Sequence, residues 1–363
     1  MEVDMINDYD ELILVINPGS TSTKLAIFSG EKMIFEETSS HEISELQRFN
    51  SINEQLDYRK DAVNRFLEKT QVNPNLLNCI VARGGVLKPI SGGTYLVDEK
   101  MCSELRNAEK EHASNLGALI AKSIADENNI YSFIVDPIVV DEMNPIAKVS
   151  GLYGIERRSI FHALNQKAVA RKVASEIGMK YEKCSLIVAH MGGGISIGAH
   201  YNGQVIDVNN ALDGDGPFSP ERAGSLPTCS LVELCFNSGL TEKEVIGLTV
   251  GKGGLVSYLR TNNLKLVQEM INEGDTYAQL IFEAMAYQVA KEIGSCAAVL
   301  NGEIQAIALT GGLAHSDLFV ESIMKRIGFI APVMVYPGEF EMEALALGAL
   351  RVLRGEEEYK YYK

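Results

Sequence analysis

Two kinds of apolar pattern alternate along this chain. One is a short, nearly continuous run closed by a polar or glycine turn: Glu11-Leu-Ile-Leu-Val15, Cys79-Ile-Val-Ala82, Phe133-Ile-Val-Asp136, Ser185 to Ala189, Ala306-Ile-Ala-Leu309 and Val333-Met-Val-Tyr336. Length and β-branched content make these buried strands. The other repeats at three- and four-residue spacing. It predicts helices near Glu54–Lys69, Cys102–Glu127, Leu164–Ile177, Leu231–Phe236, Tyr277–Leu300, Asp317–Ile327 and Glu341–Arg354, with Gly178 stopping the third. Strands alternating with helices argue for α/β layers.

Two stretches carry a further pattern. In INPGSTSTKLAIF, Ile16 to Phe28, a polar tip follows a buried strand, and Lys24 to Phe28 then alternates as a second strand. Ser29-Gly30 turns the chain into a third run, Lys32 to Phe35, so the stretch is a three-strand meander. Its tip, Asn17, Gly19, Ser20, Thr21 and Ser22, offers hydroxyl and N–H donors to an anion. It is not a Walker loop: no second glycine precedes Lys24, and a strand follows where that loop needs a helix. Ser185 to Val208, SLIVAHMGGGISIGAHYNGQVIDV, repeats the plan about 170 residues later, with tip Gly192-Gly193-Gly194 and turn Asn202-Gly203. Gly194-Ile-Ser196-Ile-Gly198 fits G-x-S-x-G, but a nucleophile elbow needs a strand-to-helix turn and here the strand continues. A dinucleotide-binding glycine loop fails for the same reason. The pattern restarts near residues 150–165, which predicts two halves with one core plan.

Composition narrows the partners. At 363 residues the chain is long enough for two cores, and 46% hydrophobic residues without an 18-residue apolar run predict a globular protein with no membrane partner. A formal charge of −15 argues against nucleic acid, so any bound phosphate must be held locally by loops and a few arginines. Six cysteines form no C-x-x-C pair and read as reduced core residues in a cytoplasm. The acidic start MEVDMINDYDEL has no apolar stretch, and no leader peptide is expected.

Several residues stand where chemistry is done, and each has a plainer reading. Arg83 leaves a buried strand at Gly84-Gly85, and Arg222 sits in the loop GPFSPERAGSLP; either serves an anion or a scaffold salt bridge. Asp136 ends a strand at the sheet edge where α/β ligands bind. Glu343 follows Pro337-Gly338 in the first turn of the last helix, where a helix dipole also favours an acid. His162 opens the helix from Leu164, a position more often structural. Thr310-Gly311-Gly312, ahead of the cap pair Ser316-Asp317, lets a flat ring or a phosphate approach the backbone. Gly251-Lys252-Gly253-Gly254 mimics a phosphate loop without supporting context and reads as a flexible loop.

Taken in order, INPGSTSTKL, VARGG, FIVDP, RRSIFHALNQ, VAHMGGGISIGA, SPERAGSLP and ALTGGLAHSD span nearly the whole chain. They resemble the butyrate kinases, a branch of the acetate kinase group in the sugar kinase, heat-shock chaperone and actin superfamily. The resemblance implies a duplicated two-domain, actin-like ATPase fold (ribonuclease H-like) with a β-meander sheet in each half. Residues 1–155 with 344–363 would form the first domain, and 156–343 the nucleotide-binding second. It implies ATP + butyrate ⇌ ADP + butyryl phosphate with Mg²⁺, in a cytoplasmic homodimer or larger homo-oligomer. Asn17, Ser20, Thr21 and Ser22 would face the transferred phosphoryl group. His190 with Gly192, Gly193 and Gly194 would hold the ATP phosphates, and Gly311 with Gly312 would flank the adenosine. Arg83 and Arg222, helped by His162, would hold the carboxylate and the phosphoryl group, with Phe161, Gly84 and Gly85 beside the acyl chain. Asp136 and Glu343 would act on magnesium, Glu339 and Glu341 being close alternatives to the latter. One departure is plain: the H-x-G-N-G type loop of acetate kinases has Gly193 here in place of the asparagine.

This chemistry suits the residues. An aliphatic carboxylate is already ionised at pH 7, so no general base is needed. What must be supplied is charge stabilisation and alignment of two anions. Arg83-Gly84-Gly85 has glycines where acetate kinases have valines, and two readings stay open: a widened acyl pocket, or a turn that needs φ > 0. Rival functions are acetate or propionate kinase activity, a catalytically idle ATP-binding module of the actin or chaperone kind, and a sugar kinase.

Overall fold

The computed structural model describes residues 11–108, 111–212 and 215–363. The first ten residues of the acidic start lie outside the described residues. Two compact units emerge, Met1–Val140 with Phe340–Lys363, and Asp141–Glu339.

In the first unit, strand β1 (Leu12–Pro18) is buried along its whole length, as its unbroken apolar run requires. It pairs antiparallel with β2 (Ser22–Ser29), which pairs with β3 (Lys32–Ser40). On its other side β1 runs parallel to β4 (Cys79–Arg83); then come β6 (Tyr131–Val135) and, antiparallel at the edge, β5 (Thr94–Leu96). The order is β3-β2-β1-β4-β6-β5. Leu14, Ile16, Ile80 and Ala82 share a core with Leu116 and Ile120 of helix Asn115–Asn128. The last helix, Glu341–Leu353, packs on β1, β4 and β6.

The second unit is built the same way. Its strands β7 (Ser185–Met191), β8 (Ile195–Tyr201) and β9 (Gln204–Val208) form the meander; β10 (Ala306–Gly311) and β11 (Val333–Pro337) run parallel beside β7. The order β11-β10-β7-β8-β9 retraces β6-β4-β1-β2-β3, so the plan is duplicated. Asn202 and Gly203, at φ 49° and 82°, make the tight β8–β9 turn. Ile187, Ile197, Phe282, Met285, Val289 and Phe319 belong to the core.

Four expectations change. The predicted helix Cys102–Glu127 is two, Glu99–Arg106 and Asn115–Asn128; the Asn107 side chain folds back onto the Ser103 carbonyl at 2.7 Å and closes the first. Three helices that the pattern did not predict, Glu242–Thr249, Gly254–Leu259 and Leu264–Asn272, fill the stretch from 242 to 272, and Gly251 to Gly253 form the expected turn between the first two. Cys229 and Cys235 are exposed rather than core, while the other four are buried. The crossing between units lies at Val140/Asp141, earlier than 155, and the return at Glu339/Phe340, ahead of 344. Hydrogen bonds explain the first shift: Asn144 N–H donates to the Ile206 carbonyl at 2.9 Å, and Glu142 accepts from Val205 N–H at 2.9 Å and pairs with buried Lys167 at 2.7 Å. Among the described residues no helix is long and apolar enough to cross a membrane.

Candidate functional site

The candidate residues fall into one set per unit. In the first, the tip between β1 and β2 is held from behind by Arg59 of helix Leu56–Thr70, a fully buried cation. Its guanidinium donates to the carbonyls of Gly19 (2.9 Å), Ser20 (2.9 Å) and Ser22 (3.2 Å), while His41 N–H takes the Thr21 carbonyl at 2.8 Å. The tip's carbonyls are thereby drawn inward, and Ser20 and Thr21 stand exposed with Ser22 half-buried. An anion meeting this loop meets donors rather than carbonyl oxygens. Arg59 was not singled out in the sequence, where it sits in an ordinary amphipathic helix.

Asn17, at the end of β1, is buried and donates Nδ2 to Glu341 Oε2 at 2.8 Å. Arg83, at the end of β4, lies 3.0 Å from the same carboxylate. Of the three neighbouring acids, therefore, Glu341 joins Asn17 and Arg83, and Glu339 lies 3.8 Å from His190 Nε2 in the second unit; Glu343 is half-buried in the first turn. His112 is also close to Arg83: burial first, then that charge, pushes its pKa down.

Asp136 follows β6 with φ 38°, a conformation a non-glycine residue adopts only under tertiary constraint. The constraint is a reciprocal clasp: Gly93 N–H donates to Asp136 Oδ1 at 2.7 Å and Asp136 N–H to the Gly93 carbonyl at 3.0 Å. Among the described residues no three His, Cys, Asp or Glu side chains gather into a metal cage. Magnesium needs none, since it keeps waters and phosphate oxygens and takes one or two carboxylates; hard-oxygen donors such as Asp136 and Glu341 fit it.

Gly84 and Gly85 do not open a pocket. A Cβ on Gly84 would lie 2.5 Å from Pro137 Cβ, and one on Gly85 would lie 2.5 Å from Asn115 Oδ1 and 2.6 Å from its Cα. Neither has a positive φ. Both expectations for this pair give way to a third cause: the Arg83 turn is packed directly against Pro137 and the start of helix Asn115–Asn128.

In the second unit the tip Gly192–Gly194 is closed by a bond from Gly192 N–H to the Gly194 carbonyl, 3.0 Å. Ser219 Oγ donates to the Gly193 carbonyl at 2.6 Å, and a Cβ on Gly194 would overlap the Arg222 guanidinium, which also donates to the Ala211 carbonyl. Gly311, φ 90°, lies so close to the Met191 backbone that only glycine fits; Gly312 beside it faces open space. A cavity of about 320 Å³ lies beside Arg222, with Leu212, Pro217, Leu226 and Leu231 on its lining together with polar Asn210, Asp215, Ser225 and Thr228.

His190, one residue before the end of β7, is buried; its ring stacks on His162, centroids 3.9 Å apart and planes 15° off parallel. Asn165 Nδ2 contacts His190 Nδ1 at 2.7 Å, and Ser196 Oγ contacts His162 Nδ1 at 2.9 Å. Ser196 is fully buried within β8, so it is no exposed nucleophile. Phe161 is buried too. The supporting Asn165 and Gln166 stand three and four residues after His162 on helix Ala163–Glu176, a spacing that puts all three on one face and was readable in the sequence.

Comparison with known proteins adds the following. The acetokinase family model matches residues 145–332. A probable butyrate kinase of Listeria innocua is 53% identical over 351 residues, 96% of this chain and 99% of that protein. Porphyromonas gingivalis acetate kinase has a similar structure, TM-score 0.77 at 17% identity, over 94% of this chain and 100% of that one. So has a propionate kinase of Francisella tularensis, TM-score 0.73 at 17% identity, over 93% and 98%. At such identities the structural likeness speaks for the fold, the duplicated actin-like α/β architecture.

Proposed function

The chain belongs to the acetokinase family, and on that premise we propose that it transfers the terminal phosphoryl group of ATP reversibly to a short or branched carboxylate, butyrate foremost. ATP-dependent carboxylate kinase activity is what family membership carries; the chain length is the finer reading, and the 53% identical probable butyrate kinase carries it. The acid is its own nucleophile, being ionised at neutral pH. The work left to the protein is to bring two anions together and to stabilise charge on an in-line phosphoryl group.

Arg83 and Arg222 neutralise that charge. Arg83 is held by Glu341 at 3.0 Å, so its guanidinium is oriented before substrate arrives. Ser20, Thr21 and Ser22 offer donors at the first tip, and Gly192, Gly193 and Gly194 offer backbone N–H groups at the second, with His190 behind them and Gly311-Gly312 beside the adenosine. Asp136 and Glu341 would hold Mg²⁺, with Glu343 the neighbouring alternative; the ion would offset charge on the phosphates. The apolar part of the lining beside Arg222 suits an acyl tail, which moves chain-length selection away from Gly84 and Gly85. A homodimer or larger assembly fits helix Thr228–Asn237, which buries none of its residues and exposes Val232, Leu234 and Phe236.

An ADP-release assay over unbranched C2 to C6 acids, with isobutyrate, tests the reading. Two extra buried methylenes at roughly 0.8 kcal/mol each predict a kcat/KM for butyrate about tenfold above acetate. Preference for acetate over every longer acid would overturn the butyrate assignment; no ADP release with any acid would overturn the kinase.

A further inference from the structure

Behind His162 runs a chain of hydrogen bonds whose direction is set by one main-chain carbonyl. Gln166 Nε2 lies 3.0 Å from the Ser196 carbonyl oxygen, which only accepts, so this end of the Gln166 amide is the NH₂ end. The same nitrogen lies 2.8 Å from Ser196 Oγ and gives it a second proton. At the other end Gln166 Oε1 accepts from His200 Nε2 at 3.0 Å, and His200 Nδ1 then accepts from the Tyr181 hydroxyl at 2.8 Å. Full burial, with Lys167 and Arg171 nearby, holds the His200 pKa well below its usual value, so that ring is neutral and this proton placement is self-consistent.

The consequence falls on Ser196. Its oxygen accepts from Gln166, and at 3.4 Å from His162 N–H. Its own proton is left to point at His162 Nδ1, 2.9 Å away. The stacked neighbour is set in a parallel way: Thr310 Oγ1 donates to the Gly338 carbonyl at 3.2 Å, so it accepts from Asn165 Nδ2 at 3.3 Å, and that same amide donates to His190 Nδ1.

We propose that Ser196 and Gln166 are positioning residues that fix His162 as the tautomer with Nδ1 accepting and the proton on Nε2, which makes Nε2–H the ring's donor to a phosphoryl oxygen. This rests on the reading of His162 as a group that stabilises the transferring phosphoryl. A histidine in the other tautomer would turn a lone pair toward an anion, and catalysis is sensitive to such an error.

Long-range ¹H–¹⁵N spectra of histidine-labelled enzyme, with the His162 signals assigned by loss in His162→Gln, read the tautomer directly. Wild type should show Nε2–H alone at pH 7.5. Ser196→Ala removes the donor and should leave a mixture. Gln166→Glu keeps the size but turns the Ser196 proton onto a carboxylate and should move the His162 proton to Nδ1. Both variants should lose kcat about a hundredfold with KM for ATP and acid within about twofold, a split that mere loosening of the fold does not give. If Gln166→Glu does not fold, Ser196→Ala alone decides. An Nδ1–H or doubly protonated ring in wild type, or one unchanged in every folded variant, overturns the inference. The tautomer is read without turnover, so an enzyme inactive on carboxylic acids would sink the proposed activity and leave this assignment standing.

Discussion

Gly85 is pressed against Asn115: a Cβ at position 85 would lie 2.5 Å from Asn115 Oδ1, the same oxygen that accepts from Val86 N–H at 2.8 Å. Leu105 Cδ2 closes the third side at 2.8 Å. Gly85→Val must therefore displace the start of helix Asn115–Asn128. The expected outcome is a loss of stability at or above the usual 1–3 kcal/mol of overpacking, with activity on every acid falling alike. Thermal melts with a chain-length series check this. A folded variant that merely trades butyrate for acetate would restore the pocket-wall role.

Arg59 reaches three tip carbonyls at once, which its planar fork allows and an ammonium does not. Arg59→Lys should loosen the tip, raising amide exchange from Gly19 to Thr23 and weakening ATP binding, at about 2–4 kcal/mol of stability. Unchanged exchange at those amides would show that the tip holds itself.

Arg222→Ala and Arg83→Ala should each lower kcat by roughly a hundredfold or more, the scale of one lost electrostatic donor. Circular dichroism controls for folding. Near-full turnover in either variant would return that arginine to the scaffold.

Glu341 and Glu343 are separated by one residue and by very different surroundings. Glu341→Gln strips a charge from Asn17 and Arg83 and should lower kcat about a hundredfold while raising the Mg²⁺ needed for half-maximal rate. Glu343→Gln should stay within a few-fold of wild type. Magnesium titrations of the two variants distinguish them, and the reverse ranking would give the metal to Glu343.

His41 packs its Nε2 2.8 Å from Thr23 Oγ1 behind the first tip. Burial first, then the charges of Arg59 and Arg65, hold its pKa at about 4, against 6.5 in the unfolded chain. A group whose pKa falls on folding binds its proton more readily when unfolded. Stability is then intact above pH 6.5 and is lost as the pH drops through the window down to 4, by about 3 kcal/mol in all. Denaturant midpoints at pH 7, 5.5 and 4.5 should show a steeper fall for wild type than for His41→Gln; parallel curves would remove His41 from the acid response.

Local periodicity was enough to settle the strands and helices that repeat, both meanders and their glycine tips, and hence the duplication, because a buried strand or an amphipathic helix writes its own period into the residues that form it. Ordered motifs did the rest for the family. What no local pattern carries is which residue a side chain meets. Glu341 and Asn17 are 324 positions apart, and their contact exists because the last helix packs on β1, β4 and β6. For Gly85 the sequence left open a widened pocket or a φ > 0 turn, yet its space is filled by Asn115 thirty positions on. Arg59 is one charge among many in an amphipathic helix by sequence, and only the fold buries it behind the tip. Between residues 242 and 272 local signals were present and missed: Thr241 and Glu244 make a capping box, and Leu264–Asn272 is amphipathic behind its Asn263 cap, whereas Gly254–Leu259 is too short to form without packing. The proton on His162, finally, is decided by a backbone carbonyl on another element, a choice that only the assembled hydrogen-bond chain can make.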